Sequence, residues 1–256
     1  MSSNQASKAG LPVWAQGIEG QIALVTGAGR GLGRACALAL SHAGARVIAV
    51  ARTRAELERL AAGAPGPVEA WVEDLREDAV LARIEGLARL DILVNNAGTN
   101  QPQAFLEVTD AALDTMLDLN VRAAYRVARS AARVMAKAAH GSIIHMSSQM
   151  GHVGAARRSV YCMTKHAIEG LSKAMAVELA AHGIRVNAVA PTFVDTPLTR
   201  PFFENPEFAA YVMNMIPAKR LGTVDEIAAA VLYLASPASG IVTGTSLKLD
   251  GGWTAH

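Results

Sequence analysis

Two kinds of hydrophobic pattern alternate along this chain. Short apolar runs rich in valine and isoleucine end at glycine or polar residues, which is typical of buried strands. Longer segments repeat their apolar residues every three or four positions, which is typical of amphipathic helices. The short runs predict seven strands, at 22–26, 46–51, 68–73, 92–95, 142–146, 185–190 and 246–249. The longer segments predict helices near 32–43, 54–62, 76–88, 110–138, 159–182 and 223–235.

Regular alternation of strands and helices gives right-handed crossovers and a parallel sheet that is covered on both faces. The chain is therefore predicted to adopt an α/β fold, a Rossmann-type doubly wound sheet of about seven strands with helices on both faces. Ligands of such sheets bind beyond the carboxyl ends of the strands. The residues that follow each predicted strand are the candidates for function.

No linker, repeat or low-complexity block interrupts the pattern, so residues 21–256 are predicted to form a single catalytic domain. Residues 1–20 lack an apolar signal-peptide core and are predicted to be a flexible arm. The segment near 192–222 is apolar but weakly periodic. We interpret it as a mobile lid over the substrate, with a subunit interface as the alternative.

Composition narrows the class of protein. The formal net charge of +2 is near balance, which argues against nucleic acid as a partner. No apolar stretch is long enough to cross a membrane. Cys36 and Cys162 lie far apart in predicted helices, which favours a reducing compartment over a disulfide. We expect a cytoplasmic protein acting on a small molecule, without a metal, since no histidine occurs in a metal-ligand spacing.

A glycine-rich loop follows the first predicted strand. Gly27, Gly31, Leu32 and Gly33 belong to the pattern Thr-Gly-x-x-x-Gly-x-Gly, which begins at Thr26. This is neither the Gly-x-Gly-x-x-Gly fingerprint nor a phosphate loop ending in Gly-Lys-Ser/Thr. Between a strand and a helix, such a loop lets the backbone approach a diphosphate, which binds at the helix N-terminus. The loop therefore predicts dinucleotide binding.

The second predicted strand ends in Arg52-Thr53 without an acidic residue that could bind the ribose 2′-hydroxyl of NAD. Arg52 and Arg30 could instead bind a 2′-phosphate, so NADP(H) is preferred over NAD(H). The alternative is that Arg52 is a solvated residue at a helix start. Asp74, followed by Leu75 after the third strand, offers a carboxylate to the adenine amino group.

Three further positions carry candidate chemistry. Asn96, Ala97 and Gly98 follow the fourth strand, where small residues let a flat ring lie against the backbone. Asn120 is a poor helix former within a predicted helix, so its amide is either solvated or interrupts the helix. Tyr161 and Lys165, four residues apart, share one helix face. A nearby ammonium lowers a phenol pKa, which makes the pair a candidate acid/base device; the alternative is a core tyrosine and a solvated lysine.

From about residue 21 to residue 252 the chain resembles the short-chain dehydrogenase/reductase family. The resemblance rests on the glycine pattern, Asn95-Asn96-Ala97-Gly98, Asn120, Ser148 with Tyr161 and Lys165, and the closing Asp250-Gly251-Gly252. It implies that Ser148 bonds the substrate oxygen, that Tyr161 exchanges its proton, and that Lys165 lowers the Tyr161 pKa and holds the nicotinamide ribose. It also implies that Asn120 positions a proton-relay water. The motifs most resemble the branch of xylulose and carbonyl reductases.

The resemblance also assigns cofactor roles to Pro191, Val194 and Thr196, although Thr192 replaces the usual glycine. It suggests a homotetramer built on the helices at 110–138 and 159–182. We predict reversible hydride transfer between NADP(H) and a small polar carbonyl or alcohol. Candidate substrate contacts are Ser148, Gln149, His152, Thr192 and Phe193, and Thr99 and Asn100 are further candidates for lining the reaction centre. The alternatives are a 3-oxoacyl thioester reductase, whose acyl carrier would dock at Arg157-Arg158, and a dinucleotide-sensing protein without turnover.

Overall fold

Seven parallel strands form one sheet in the computed structural model, which describes residues 17–196 and 199–255. The strand order is β3-β2-β1-β4-β5-β6-β7, so the direction of winding reverses between β1 and β4. The strands are β1 (Ile22–Thr26), β2 (Arg46–Ala51), β3 (Val68–Val72), β4 (Ile92–Asn95), β5 (Gly141–Met146), β6 (Ile184–Pro191) and β7 (Ser246–Leu249). The predicted α/β fold with a seven-stranded parallel sheet is confirmed.

Helices cover both faces of the sheet and enclose two apolar cores. The helices are α1 (Gly31–His42), α2 (Arg54–Gly63), α3 (Asp78–Glu85), α4 (Asp110–Leu117), α5 (Ala124–Lys137), α6 (Ser159–Leu179), α7 (Pro206–Met215) and α8 (Val224–Ala235). One core includes Leu40 of α1 and Ile227 of α8, both fully buried. The other includes Val127 of α5 and Trp71 of β3. Burial on both faces explains why the central strands are almost entirely apolar.

The predicted helix at 110–138 is divided into three parts. Between α4 and α5 lies one π-helical turn, Asp118–Ala123, which contains Asn120. The sequence left two alternatives for the amide of Asn120, solvation or interruption of the helix, and the structure shows the interruption. Single π turns are frequent at functional sites.

The predicted lid contains a helix that its weak periodicity did not reveal. Asn205 caps α7 by accepting hydrogen bonds from Glu207 N and Phe208 N, and Pro206 occupies the first helical position. An asparagine followed by proline is a helix start signal that outweighs poor periodicity. Residues 197 and 198 of the lid lie outside the described residues.

Most of the predicted arm, residues 1–16, also lies outside the described residues, but residues 17–20 pack against the sheet domain. Ile18 is fully buried, and Gly20 N donates to Gly44 O at 2.9 Å. The packed chain therefore begins before the first strand. None of the described helices is both long enough and apolar enough to cross a bilayer.

Candidate active site

The glycine loop approaches its neighbours too closely to carry side chains. Gly27 has φ +65°, and a Cβ there would lie 2.9 Å from Asn96 Nδ2. A Cβ on Gly33 would overlap the carbonyl oxygen of Gly27. Gly31, at the first position of α1, has φ +55°. These contacts leave the α1 N-terminus open for an anion, since its first turn has no acidic residue and no side-chain cap.

The loop is fixed beside the tips of β2 and β4. Ala28 N donates to Val50 O at 3.1 Å, which holds the loop against β2. Thr26 Oγ1 accepts hydrogen bonds from Asn96 N at 3.0 Å and Ala97 N at 3.1 Å. Asn96 Nδ2 donates to Thr26 O at 2.9 Å. The amide of Asn96 therefore ties the residue 95–98 turn to the glycine loop, while Gly98 is exposed.

The site predicted to bind the adenosine half of the cofactor contains two exposed arginines. Arg30 and Arg52 are exposed and, within the described residues, their side chains form no hydrogen bond or ion pair. Thr53 is the N-cap residue of α2, but its side chain makes no capping hydrogen bond and is exposed. The carboxylate of Asp74 binds Arg76 at 2.6 Å, and this contact is the main reason that its pKa falls to about 2. Leu75 beside it is buried.

The π-helical turn holds Asn120 in a fixed orientation. Its Oδ1 accepts from Thr99 N at 2.8 Å, and its Nδ2 donates to Thr99 O at 2.8 Å and to Thr164 Oγ1 at 3.2 Å. The side chain is only 2 % exposed, and both of its polar atoms bond to protein. A water bound at Asn120 would have to use the second lone pair of Oδ1 or a main-chain group.

Ser148 and Tyr161 are brought together by β5 and α6. Ser148 follows the end of β5, where its hydroxyl accepts from Met150 N at 3.1 Å. Burial raises the pKa of Tyr161 to about 12, although part of the ring surface stays accessible; hydrogen bonding with Ser148 and the charge of Arg158 oppose the rise. At neutral pH Tyr161 is therefore a protonated donor.

Lys165 lies beside the ring of Tyr161, with Nζ 5.5 Å from the ring centroid, and donates to Met146 O at 2.7 Å. Burial lowers its pKa to about 8, and the charge of Glu169 opposes that fall. The sequence led us to expect that Lys165 lowers the pKa of Tyr161. In this structure burial dominates, and Arg158 is the cation that acts on the phenol.

The candidate substrate residues fall into two groups. Among the residues that the structure describes, Gln149 Oε1, Thr192 Oγ1 and Asn100 Oδ1 are buried and have no hydrogen-bond partner. His152 instead uses Nε2 to contact Ser246 Oγ at 2.9 Å and Glu169 Oε1 at 3.2 Å. The ring of His152 is thus engaged with β7 and α6.

Phe193 belongs to an aromatic cluster formed by the segment after β6. Its ring contacts Phe203 and Phe208 edge-on, each at a centroid distance of 5.7 Å, and Trp253 at 6.0 Å. The segment that carries Phe193 also contains the predicted cofactor residues. Pro191 ends β6, Val194 pairs with Gly222, and Thr196 lies within 4.0 Å of the Cβ position at Gly31. Of the predicted cofactor residues of this stretch, Thr196 therefore reaches the glycine loop.

Sequence reasoning missed several supporting residues. Thr164 holds Asn120 together with Thr99, which was expected only as a residue lining the reaction centre, and Met146 supplies the carbonyl for Lys165. Nothing in their residue types marks these positions. Arg158 was considered only as part of a short basic run, although its place three residues before Tyr161 puts it one helical turn away.

These elements together define a nucleotide-dependent oxidoreductase of the doubly wound α/β class. Residues 27–254 match the short-chain dehydrogenase family model described as enoyl-(acyl carrier protein) reductase. The chain therefore belongs to the short-chain dehydrogenase/reductase family, whose members interconvert alcohols and carbonyls with NAD(P).

Particular relatives cover almost the whole chain. L-xylulose reductase of Bos taurus is 43 % identical over 93 % of this chain and 98 % of its own length. D-erythrulose reductase of Gallus gallus is 43 % identical over 91 % of this chain and 96 % of its own length. A gluconate 5-dehydrogenase structure from Burkholderia cenocepacia, in complex with NADP and tartrate, is 32 % identical, with a TM-score of 0.88 over 93 % of this chain and 96 % of its own.

Proposed function

We propose that this protein is an NADP(H)-dependent oxidoreductase whose substrate is a sugar or polyol. The observation that carries the proposal concerns Asn100, Gln149 and Thr192, which follow the carboxyl ends of the neighbouring strands β4, β5 and β6. Each has a buried side-chain oxygen that has no hydrogen-bond partner within the described residues. Buried acceptors without partners are costly, so a ligand that donates hydrogen bonds would stabilise the site. A polyhydroxylated substrate offers several such donors. The relatives that are named for xylulose, erythrulose and gluconate support the same class.

The glycine loop fits a dinucleotide because its residues carry no side chains that would block the N-terminus of α1, where a diphosphate would bind. Bound NADP(H) would supply or accept the hydride. For reduction, the Ser148 hydroxyl would hold the substrate carbonyl oxygen and Tyr161 would donate a proton to it. Because burial raises the Tyr161 pKa to about 12, the proton is present at neutral pH. Lys165 would return a proton to Tyr161, assisted by a water bound at Asn120.

The thioester alternative has weaker support. An acyl carrier needs an exposed basic surface, but Arg158 is only 7 % exposed and leaves Arg157 alone at the surface. The sensing alternative leaves Tyr161, Ser148 and Lys165 without a reason to converge.

A substrate panel tests the proposal. Purified protein would be assayed for NADPH oxidation with L-xylulose, D-erythrulose and acetoacetyl thioester. We expect the ketoses to be reduced and the thioester to be poor. Tyr161→Phe should lower turnover at least about 100-fold with NADPH binding unchanged. Preferred turnover of the thioester would contradict the proposal, as would full activity of the variant.

The preference for NADP(H) is tested at Arg52. Loss of a charge-assisted bond to the 2′-phosphate in Arg52→Gln should lower the NADPH to NADH ratio of kcat/KM by about tenfold or more. Arg59→Gln, which alters an exposed arginine further along α2, is the matched control. An unchanged ratio in Arg52→Gln would remove the role assigned to this residue.

Assembly and location remain proposals. The helices α5 and α6 expose Tyr125, Met163 and Val177, with Val177 81 % exposed, which supports burial of these helices in a homotetramer. A monomer in sedimentation velocity would contradict it. Cys36 and Cys162 are free and buried, which is compatible with a cytoplasmic location.

A further inference from the structure

Arg158 is a buried cation without a counter-charge. It is 7 % exposed, and within the described residues its guanidinium forms no hydrogen bond and no ion pair. Arg185, another arginine with limited exposure, instead donates to Ser239 Oγ at 2.8 Å. Burial lowers the pKa of this guanidinium, which keeps its proton at physiological pH, but its nitrogens are not fully shielded and can be reached by a ligand. This unpaired, reachable charge points to an anion that is present when the site is filled.

Arg158 lies beside the helix that carries Tyr161. Arg158 immediately precedes α6, and its carbonyl accepts the hydrogen bond from Cys162 N at 2.7 Å that opens the helix. It lies one helical turn before Tyr161. Its charge also lowers the pKa of Tyr161, which agrees with a guanidinium close to the phenol.

The other side of Arg158 faces the lid. Its Cζ lies 5.2 Å from the centroid of the Phe202 ring. Phe202 contacts Phe208 at 6.3 Å, and Phe208 contacts Phe193 at 5.7 Å. The guanidinium therefore lies between the catalytic helix and the aromatic cluster that borders the candidate substrate residues.

Within the described residues, the groups whose charges act on Arg158 are Tyr161, Arg157 and Cys162, and no carboxylate is among them. The residue next to Arg158 in sequence is Arg157, which is exposed and adds positive charge. Both the burial and the surroundings of Arg158 therefore favour binding of an anion.

We propose that Arg158 binds an anionic group on the substrate, so that the preferred substrates are sugar or polyol acids rather than neutral ketoses. Arg158 is then a specificity-determining residue, and the anion lies at the end of the substrate that points toward the lid. This inference rests on the proposed sugar or polyol oxidoreductase function. The guanidinium fork suits a carboxylate or a phosphate, which share the required oxyanion geometry.

Matched substrate pairs test the proposal. 5-Keto-D-gluconate and L-sorbose have the same carbon skeleton and differ in a carboxylate in place of a hydroxymethyl group. D-Fructose 6-phosphate and D-fructose form the corresponding phosphate pair. We expect kcat/KM for one of the two anionic substrates to exceed that of its neutral counterpart by about 100-fold, as for a buried charge-assisted bond. The pair that shows the preference identifies the anion.

Arg158→Gln should abolish this preference by lowering kcat/KM for the anionic substrate about 100-fold more than for its neutral counterpart, with the KM for NADPH unchanged. The loss of a positive charge near Tyr161 acts on both substrates alike and cancels in this ratio. Arg157→Gln, which neutralises the exposed neighbour, should leave the preference intact. A preference that survives Arg158→Gln would overturn the proposal, as would an equal loss of NADPH affinity.

The wild-type protein alone also decides the question, should Arg158→Gln fail to fold. If it reduces neutral and anionic ketoses equally well, Arg158 does not select an anion, and the proposed oxidoreductase function still stands. If it reduces no ketose of either kind with NADPH, the proposed function itself is wrong.

Discussion

The cofactor side and the substrate side of the site are held together by different kinds of contact. On the cofactor side, residues 26–33 and 95–98 are held together by main-chain groups, a threonine hydroxyl and an asparagine amide. On the substrate side, large side chains meet across long sequence separations, as Phe193 does with Trp253. The first arrangement tolerates almost no added atoms, whereas the second can be repacked. Specificity can therefore change on one side while cofactor binding is preserved on the other.

The strongest test of this difference is a single methyl group on the cofactor side. Gly33→Ala would place a Cβ against the Gly27 carbonyl oxygen, and main-chain atoms cannot move aside as a side chain can. We expect NADPH affinity to fall about 100-fold, the equivalent of about 3 kcal/mol. Calorimetric titration with NADPH measures it.

Gly170→Ala is the matched control for that variant. Gly170 lies in α6, and its added Cβ would meet nothing within 4 Å. Gly170 shares the helix face of Met163 and Val177, which we propose to be a subunit interface, so the control uses only NADPH affinity, which should stay unchanged. If Gly33→Ala bound NADPH as tightly as Gly170→Ala, the close contacts of the glycine loop would be unimportant for the cofactor.

The same difference explains what could be predicted from the sequence. Glycine loops, Asn96 and the Tyr161–Lys165 spacing leave a local signature because a backbone path requires particular residues at fixed intervals. The aromatic cluster and the burial of Arg158 depend on which distant elements meet, and no local pattern records that. The helix α7 shows both cases: its start at Asn205-Pro206 was readable, but its packing against Phe193 was not. The raised pKa of Tyr161 likewise depends on burial, which spacing alone does not give.

On the substrate side, Phe208→Ala should have an intermediate effect. Phe208 contacts Phe193, Phe202, Phe203 and Tyr211, so its removal opens the centre of the aromatic cluster. We expect KM for the ketose substrate to rise about tenfold and the free energy of unfolding to fall by about 2 kcal/mol, since the ring is only half-buried. Steady-state kinetics and denaturant titration measure the two quantities.

Phe208→Leu retains much of the volume and should recover most of both losses. The KM for NADPH should stay constant in both variants. A comparable rise in the NADPH KM would mean that the two sides of the site are not separable.

The smallest expected effect concerns Lys165, where the two sides meet. Its pKa falls from 10.5 to about 8 in the folded protein because of burial. Between these values the unfolded chain binds more protons than the folded one, so this residue makes stability rise with pH across that window. The slope it contributes is at most about 1.4 kcal/mol per pH unit. Lys165→Met should remove it, while Lys173→Met, at an exposed position of the same helix, should not.

Other groups titrate in the same range, so the informative quantity is the difference in free energy of unfolding between wild type and Lys165→Met. Burial raises the Cys36 pKa to about 12, for example, but this contribution is common to both proteins and cancels. We expect Lys165→Met to be more stable than wild type at pH 7.5 and to lose about 1 kcal/mol of that advantage by pH 9. A constant difference across this range would mean that Lys165 is charged and well solvated. In that case the low pKa that lets it return a proton to Tyr161 near neutrality would be absent.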